Sequence, residues 1–547
     1  MFNDLESKLQ SLLERNITSV SELESWLSEE LRVTAEVEEK ITNSLISMYR
    51  DTNDSNIRDL HMYNQNTIQP LLKRYNAKFD QKFRECQFSD LLDEQKYGFM
   101  KKARLVKSKM FNEKNISLSV KEQELITKYR EIMSNISINW EGEQKTYAYV
   151  KAKLENPNRA IREKAWYALC EARRIVKPEV DRIMNELIQL RNQIAINTGF
   201  HNYSEYAFKQ KNRDYSIEDC YKLHESIEKY VVPIWKQLGS LSKENLGVKT
   251  YRPWDITSFN LPKAPFQNVS DLLNGVEEMF RKTDLYFYEK FIHVRKAGFI
   301  DVEERENKAP GAVCFTLPHS KEVFVYSNFS PSFYAINALI HELGHAFHFY
   351  KQFNNDSSMQ ERYLREEVAE LYSLSLELLV MDKLNIFYKQ EEYKEVQRVQ
   401  LYRALSLLMS SIAGDVFQHW IYANPNHTPE ERNKKYAELC KSYQYSTVDI
   451  TGLEDEIGAS WIDSFHYVQF PFYKIEYAIA QIGAMQLFQM YRENPEKAIT
   501  FFKEGASVDW NLPIQEIYEK TGITFDFSEE RIVSTASVIL DLIRELK

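Results

Sequence analysis

Two histidines and a glutamate with the spacing of a metal site stand in the segment His341-Glu342-Leu343-Gly344-His345. On an α-helix, residues i and i+4 lie one above the other on the same face. Two imidazoles placed in this way can bind one Zn²⁺ at about 2.0–2.1 Å each, and Glu342 then points towards the place of a bound water. A core helix with two hydrogen-bonded histidines is the alternative, but the motif favours a metal site.

The residues around this motif predict a helix over 331–350. Ser330 is suited to the N-cap position, and Pro331 is suited to the first helical position. Apolar residues recur at helical spacing and predict the stripe that is buried, namely Ile336, Leu339, Ile340, Leu343 and Phe347. The motif is therefore expected on a helix that is anchored in the core.

A third protein ligand is needed, because a catalytic zinc site has three protein ligands and keeps one position for water. His348 lies seven residues after His341, and a rise of about 10.5 Å is too long for both to bind one ion. After the polar break 354–358, the sequence predicts a second, antiparallel helix over 361–384. Glu370 lies in its most apolar stretch, where a carboxylate needs a compensating charge, so Glu370 is predicted to be the third ligand.

Other acidic residues of the second helix leave alternatives open. Glu366 and Glu367 lie about one turn closer to the polar start of the helix and are the rival third ligands. Glu377 lies two turns beyond Glu370. It either accepts a hydrogen bond from a zinc-bound imidazole or is a surface residue.

The chemistry that such a site supports is hydrolysis. One Zn²⁺ per chain, bound by His341, His345 and Glu370, would lower the pKa of its water towards 7. Glu342 would take a proton from that water as it attacks a carbonyl, and would deliver the proton to the leaving amine. A second electrophile is normally needed for the oxyanion, and it must come from elsewhere in the chain.

Aromatic residues far downstream are candidates for that electrophile. Pro471 is expected to start a helix on which Tyr473 and Tyr477 share a face, and His466 and Tyr467 are expected on the loop before it. Phenol hydroxyls and an imidazole N–H can donate to a peptide carbonyl. The residues alone leave open whether these rings act on substrate or only pack in the core.

The rest of the chain predicts a mainly helical protein. Its 547 residues include only 15 glycines and 15 prolines, and long stretches rich in Glu, Lys and Leu have 3.6-residue periodicity. The segment 311–329 differs, because apolar residues alternate on both sides of a Pro318-His319-Ser320 turn and predict a β-hairpin. This hairpin directly precedes the metal helix. Its edge either holds an extended peptide or only packs on the helix.

Charge and cysteine content argue against several classes of protein. A net charge of −10 disfavours nucleic acid as the main partner. The five cysteines are far apart, so neither a disulfide framework nor a cysteine zinc site is expected. No run approaches 18 apolar residues and the first residues lack an apolar signal core, so no membrane span is expected. The expected location is the cytoplasm.

Three blocks of the sequence, in order, resemble the thimet oligopeptidase and oligoendopeptidase F family of zinc peptidases: HELGHAFH (341–348), EVAELYSLSLELL (367–379) and HYVQFPFYKIEYAIAQIGA (466–484). Three further segments fit its oligoendopeptidase branch: RNQIAINTGFHNY (191–203), YRPWD (251–255) and APGAVCFTLP (309–318). PFYKIEY is most similar to the bacterial Pz-peptidase type. The resemblance spans roughly residues 150–545, whereas the first 130 residues match only in being helical.

The resemblance implies an elongated, mainly α molecule with a deep central channel that contains the zinc site and admits short peptides. It implies that Glu370 is the third zinc ligand, in agreement with the burial argument. It also implies that His466 and a C-terminal tyrosine bind substrate and stabilise the oxyanion. Tyr473 and Tyr477 both fit that role, and Tyr467 is a third possibility.

We therefore predict a zinc endopeptidase that hydrolyses short oligopeptides. Residues 1–180 are expected to form part of the channel wall and residues 181–547 the catalytic region. An exopeptidase that trims peptide ends is one alternative, but it needs a charged clamp for a peptide terminus, and no sequence feature identifies one. A silent peptide-binding relative is the other, but it would have no chemical need for the intact His341, Glu342 and His345. The sequence predicts neither cleavage preference nor oligomeric state.

Overall fold

The computed structural model describes residues 4–256, 262–309, 311–329, 331–353, 365–508 and 512–546. Within these ranges helices dominate and two small β-sheets accompany them, which confirms the predicted mainly α fold class. Among the described helices, none has the length and apolarity needed to cross a bilayer. The predicted N-cap Ser330, the break at 354–358 and the first residues of the predicted second helix, 361–364, lie outside the described residues.

The N-terminal part of the chain consists of helices: α1 (Leu5–Glu14), α2 (Val20–Arg50), α3 (Ser55–Tyr63), α4 (Gln69–Glu85), α5 (Glu94–Met110) and α6 (Lys114–Ser134). Buried apolar side chains from Leu5 to Ala103 form a cluster of their own. The largest cluster begins at Leu125 and extends to Ile543. The helices before residue 110 thus have a separate small core, although no linker of low complexity marks this in the sequence.

A short antiparallel hairpin follows, formed by β1 (Ser137–Trp140) and β2 (Glu143–Thr146). The sequence analysis did not predict it. Glu141 and Gly142 connect the strands, and both have positive φ, as the two-residue type I′ turn requires. In the sequence, the Glu141-Gly142 pair is the feature that could have indicated this turn.

The middle of the chain is again helical: α7 (Tyr147–Ala152), α8 (Arg159–Asn197), α9 (Tyr203–Gln210), α10 (Ile217–Ser226), α11 (Val232–Leu246), α12 (Val269–Thr283) and α13 (Leu285–Lys296). Asn158 caps α8 by accepting a hydrogen bond from the backbone N–H of Ala160. This helix is continuous through residue 180, where the approximate boundary between the two predicted regions was placed. That division of the chain stays a prediction.

A three-stranded sheet lies before the metal helix and contains β3 (Ile300–Asp301), β4 (Val313–Leu317) and β5 (Glu322–Tyr326). β4 and β5 pair antiparallel, from Val313 opposite Tyr326 to Leu317 opposite Glu322. The predicted hairpin is therefore confirmed. β3 adds to β5 in parallel, which gives the order β3-β5-β4 and leaves β4 at an edge.

The remaining helices surround the motif: α14 (Phe333–Phe353), α15 (Glu366–Leu379), α16 (Gln390–Ala423), α17 (Pro429–Ser442), α18 (Glu454–Ala459), α19 (Phe465–Gln469), α20 (Lys474–Glu493), α21 (Pro495–Ala506), α22 (Ile514–Lys520) and α23 (Glu529–Glu545). The predicted stripe of α14 is buried at all five positions. α14 begins at Phe333, so Pro331 precedes the helix and is not its first residue.

The chain before α20 differs from the prediction. His466 and Tyr467 lie in the short helix α19 and not in a loop, and α20 begins at Lys474 and not at Pro471. The reason is the backbone at Phe472, which has φ +59° and so interrupts any helix that Pro471 would start.

α14 and α15 pack closely and run antiparallel, as predicted. His341 contacts Glu377 near one end, whereas the ring of His348 packs against that of Tyr372 further along. Gly344 permits the close approach, since a Cβ atom there would lie only 2.5 Å from the Cα of Ser373. This contact brings the two histidines of α14 against the carboxylates of α15.

Candidate active site

The side chains of His341, His345 and Glu370 converge, with one ligand atom from each lying within 4.8 Å of the others. Nε2 of His341 lies 3.4 Å and Nε2 of His345 lies 3.7 Å from Oε2 of Glu370. Ligands about 2.0–2.1 Å from a tetrahedral zinc ion lie roughly 3.3–3.4 Å apart. Both nitrogen-to-oxygen distances are close to this separation, so the donor set fits a zinc ion.

The other ring nitrogen of His341 is held by a buried polar chain. Nδ1 of His341 lies 2.8 Å from Oε1 of Glu377, and Oε2 of Glu377 accepts a 2.9 Å hydrogen bond from the Gln400 amide. Asn337 in turn donates to Oε1 of Gln400 at 2.6 Å. This chain directs Nε2 of His341 towards Glu370. Of the two alternatives left open for Glu377, the structure places it against the imidazole.

Gln400 and Asn337 were missed by the sequence analysis. Both are buried, with 2% and 3% of their surface exposed. Asn337 lies in an apolar part of its helix, and a buried amide needs hydrogen-bond partners. Such an amide indicates that a hydrogen-bond partner exists, but it does not identify Gln400 as that partner, because 63 residues separate Asn337 from Gln400.

The rival third ligands lie elsewhere. Glu366 forms an ion pair with Lys211, and Glu367 is buried with 3% of its surface exposed. Neither belongs to a metal-binding group in the described part of the chain, whereas Glu370 does. Geometry therefore favours Glu370.

His348 also lies apart from the three donors. Its ring is fully buried and its centroid is 4.4 Å from that of Tyr372. Burial lowers the pKa of His348 to about 3, so the imidazole is neutral. The position agrees with the argument from helix rise.

The carboxylate of Glu342 lies between α14 and the edge strand β4. Only 7% of the residue is exposed, and the backbone N–H of Cys314 in β4 donates to its carboxylate. Burial raises the pKa of Glu342 to about 7, the charge of His341 opposes this rise, and the charge of Glu370 adds to it. A carboxyl group with such a pKa can both accept and release a proton near neutrality.

Glu370 is the most strongly stabilised carboxylate of the site. Burial alone would raise its pKa, but the two histidines and the hydroxyl of Tyr473 outweigh it and hold the pKa at about 2. The Tyr473 hydroxyl donates to Oε1 of Glu370 at 2.6 Å, and Ser373 donates to Oε2 at 3.1 Å. Glu370 is thus ionised and fixed in orientation.

His466, Tyr473 and Tyr477 form one aromatic wall beside the donors. Ring centroids lie 5.8 Å apart for His466 and Tyr473, 5.5 Å for His466 and Tyr477, and 5.1 Å for the two tyrosines. The charges of both Glu370 and Glu342 act on the Tyr477 hydroxyl, which places it at the site. The structure thus brings together three of the four predicted aromatic residues.

The bend at Phe472 builds this wall. The φ of +59° is unusual for a bulky residue and costs on the order of 1–3 kcal/mol. The surrounding structure holds it, because the N–H of Phe472 donates to Oε1 of Gln418 at 2.9 Å and its carbonyl accepts from Arg213. The bend turns α19 back, so that His466 faces Tyr473 and Tyr477 across the turn.

Tyr467, the third candidate for the oxyanion, lies in the core. Only 2% of it is exposed, and its ring packs on Phe417 and Tyr436 at centroid distances of 5.2 and 5.9 Å. Packing in the core accounts for its position.

Residues 152–531, more than half of the chain, match peptidase family M3. The chain belongs to this family. The match contains the donors, Glu342 and the aromatic wall, and it confirms the resemblance found in the sequence. In this M3 peptidase, His341, His345 and Glu370 therefore lie within the residues that match the family.

Solved structures share the fold of this M3 peptidase over its whole length. Pz peptidase A with an inhibitor is 24% identical, with a TM-score of 0.93 over 100% of this chain and 97% of that one. A protein named oligoendopeptidase F from Bacillus anthracis is 22% identical, with a TM-score of 0.89 over 100% and 96%. Oligoendopeptidase F from Enterococcus faecium is 15% identical, with a TM-score of 0.67 over 100% and 97%. No curated protein matches the sequence.

These likenesses extend through the N-terminal helices, which the sequence related to the family only by their helical character. The fold is therefore that of the oligoendopeptidase structures along the entire described chain.

Proposed function

We propose that this M3 peptidase is a zinc-dependent endopeptidase that hydrolyses short peptides. The observation that carries the proposal is the convergence of His341, His345 and Glu370 beside the buried carboxylate of Glu342. Two imidazoles and one carboxylate are a ligand set of catalytic zinc sites, and they leave one position open. His341, His345 and Glu370 would hold one Zn²⁺ per chain.

When bound, the zinc ion supplies a Lewis acid that polarises the scissile carbonyl and makes water more acidic. The protein supplies the proton transfers. Glu342, held by the N–H of Cys314, accepts the proton of the attacking water and delivers it to the nitrogen of the leaving amine. Glu342 lies between α14 and the edge of β4, so an extended peptide that paired with that edge would lie beside it.

The aromatic wall stabilises the oxyanion in this proposal. Tyrosine hydroxyls stay protonated near neutral pH and can donate to the developing negative charge. Glu370 acts on both tyrosine hydroxyls, by a 2.6 Å hydrogen bond from Tyr473 and by its charge and a side-chain hydrogen bond at Tyr477. Tyr477 is the first candidate, because the charge of Glu342, the proposed base, also acts on its hydroxyl. His466, with a pKa that burial lowers well below its usual value, is a neutral imidazole and donates one N–H to the substrate.

Restricted access supports short peptides as the substrates. The side chains of His341 and His345 are only 18% and 14% exposed, and that of Glu370 only 3%. Donors with so little exposed surface favour an extended chain over the surface of a folded protein as the substrate. The predicted deep channel would have this effect. A location in the cytoplasm stays a prediction.

One experiment tests the proposal. A mixed peptide library is digested with and without a zinc chelator, and the cut sites are read by mass spectrometry. We expect internal cuts that disappear with the chelator and return with added Zn²⁺. A folded protein of similar sequence content, incubated in parallel, should stay intact. Cuts confined to peptide ends, or cuts that resist the chelator, would contradict the proposal.

A further inference from the structure

Lys474 lies beside the aromatic wall, and the proposed mechanism gives it no role. Lys474 is the first residue of α20 and lies one turn before Tyr477, so both side chains share a helix face. Its Nζ lies 5.8 Å from the ring centroid of Tyr477. Lys474, Tyr477 and His466 are all partly exposed. The charge of Lys474 acts on His466, and the charge of Glu370 acts on Lys474, so the ammonium lies near the candidate site.

The charge of Lys474 has no anionic partner in direct contact within the described ranges. Other cations of the same region do have one. Lys211 pairs with Glu366 and Glu476, and Arg213 pairs with Glu476. Burial lowers the pKa of Lys474 to about 8, and Glu370 contributes only a longer-range attraction that opposes this. An ammonium that is poorly solvated and lacks a direct partner is costly for the folded protein.

The side chain is also held in place. A Cβ atom at Gly414 of α16 would lie 3.0 Å from Cγ of Lys474, so the aliphatic stem packs directly on the α16 backbone. An ammonium whose stem is fixed in this way loses less conformational entropy when it binds a ligand than a free surface lysine does. Position, missing partner and fixed stem together point to a group that arrives with the substrate.

We propose that Lys474 binds a carboxylate of the peptide substrate close to the scissile bond and so determines specificity. The inference rests on the proposed function, since it concerns the substrate of the same site. An ammonium is a point charge with three N–H donors, so it can bind a carboxylate in many orientations. That carboxylate is either the C-terminus of the peptide or the side chain of an Asp or Glu residue. If it is the C-terminal carboxylate, Lys474 is the charged clamp for a peptide terminus, and the enzyme removes residues from peptide ends.

The test compares kcat/KM for matched peptides of one length. One series moves a single Glu, or a Gln in its place, along a neutral peptide with an amidated end, and a second series carries a free or an amidated C-terminus. We expect the native enzyme to prefer one carboxylate-bearing peptide over its neutral counterpart by about tenfold, the usual strength of one charge-assisted hydrogen bond. Lys474→Met should bring that ratio close to one, and Lys474→Arg should retain most of it.

Lys434 is an exposed lysine of α17, outside the aromatic wall. Lys434→Met removes the same charge there and should leave the ratio unchanged. Collapse of the Glu/Gln ratio identifies a side-chain carboxylate, and collapse of the acid/amide ratio identifies the terminus. Either result supports the inference. The inference is overturned if Lys474→Met retains the preference for the carboxylate-bearing peptide. It is also overturned if Lys474→Met lowers kcat/KM equally for all peptides.

Binding measurements separate this inference from the proposed function. Kd values for the same peptide pairs are measured by fluorescence polarisation with the Glu342→Gln variant, with and without Lys474→Met. A ratio of Kd values that depends on Lys474 supports the inference even if the native enzyme cleaves none of the peptides, which would contradict only the proposed function. Kd values that do not distinguish the paired peptides would overturn the inference.

Discussion

The hydroxyl of Tyr473 donates a 2.6 Å hydrogen bond to Oε1 of Glu370, while Oε2 of the same carboxylate faces Nε2 of both histidines. One carboxylate thus links the aromatic wall of α20 to the donors on α14. Since 103 residues separate Tyr473 from Glu370, this bond fixes two distant parts of the chain relative to each other. Glu370 also acts on the Tyr477 hydroxyl, and there the charge of Glu342 acts as well.

Phenylalanine substitutions should separate the roles of the two tyrosines. Tyr477→Phe is expected to lower kcat by about 10²–10³ with little effect on stability, because it removes a donor to the oxyanion. Tyr473→Phe is expected to lower zinc affinity by about 10–100-fold, because it frees one oxygen of Glu370. Steady-state kinetics and zinc titration of both variants check this. The reverse pattern would assign the oxyanion to Tyr473.

Glu342→Gln should retain zinc and lose peptide cleavage. The amide preserves the shape of the side chain but cannot accept the proton of water, and loss of a general base costs about 10²–10⁴ in rate. Zinc content and kcat/KM, measured on the same preparation, check the prediction. Glu430→Gln, an exposed glutamate of α17, is the matched control and should behave as the native enzyme. Substantial turnover by Glu342→Gln would remove this residue from the role of base.

Glu370→Ala should lose most of its zinc, because two imidazoles alone do not complete the site. Glu366→Ala is the informative comparison, since Glu366 lies on the same helix but pairs with Lys211. We expect it to retain zinc. Metal analysis after dialysis against a dilute chelator distinguishes the two variants. Full zinc occupancy in Glu370→Ala would move the third ligand to Glu366 or Glu367.

Glu377→Ala should weaken zinc binding without abolishing it. The carboxylate holds Nδ1 of His341 at 2.8 Å and so orients Nε2. Loss of such a partner typically costs 10–100-fold in metal affinity or activity. Competition with a chromogenic chelator measures the change. An affinity equal to that of the native enzyme would show that α14 alone orients the histidine.

Helical periodicity and burial were sufficient to predict α14, its antiparallel neighbour and the convergence of Glu370 with His341 and His345. That Glu370 binds the metal stays a prediction. These inferences depend on residues close in sequence, where spacing determines which side chains share a face. The aromatic wall could not be predicted in the same way. His466 lies in the wall only because Phe472 adopts a left-handed backbone conformation, which hydrogen bonds with Gln418 and Arg213 stabilise. No local sequence pattern predicts these contacts. The sequence analysis did not single out Lys474, because spacing alone does not show which charged side chains lack an ionic partner.

The close packing of α14 on α15 gives a prediction that opposes helix propensity. Alanine in place of a helical glycine normally stabilises by about 1 kcal/mol. At Gly344, however, a Cβ atom would lie 2.5 Å from the Cα of Ser373 and 3.0 Å from the carbonyl oxygen of Tyr372, which are backbone atoms that cannot rotate away. We expect Gly344→Ala to destabilise by about 1–3 kcal/mol, as overpacking does, and to weaken zinc binding.

Gly98→Ala in α5 is the matched control. A Cβ atom there meets only the carboxylate end of Glu94, which is exposed and can move aside. This variant should be as stable as the native protein or slightly more stable, with unchanged zinc affinity. Thermal unfolding with and without Zn²⁺ measures both effects. Because separation of α14 from α15 moves His341 and His345 away from Glu370, the gain in Tm on adding zinc should shrink in Gly344→Ala alone. Equal behaviour of the two variants would show that the helices tolerate a wider spacing and that the metal donors do not depend on this contact.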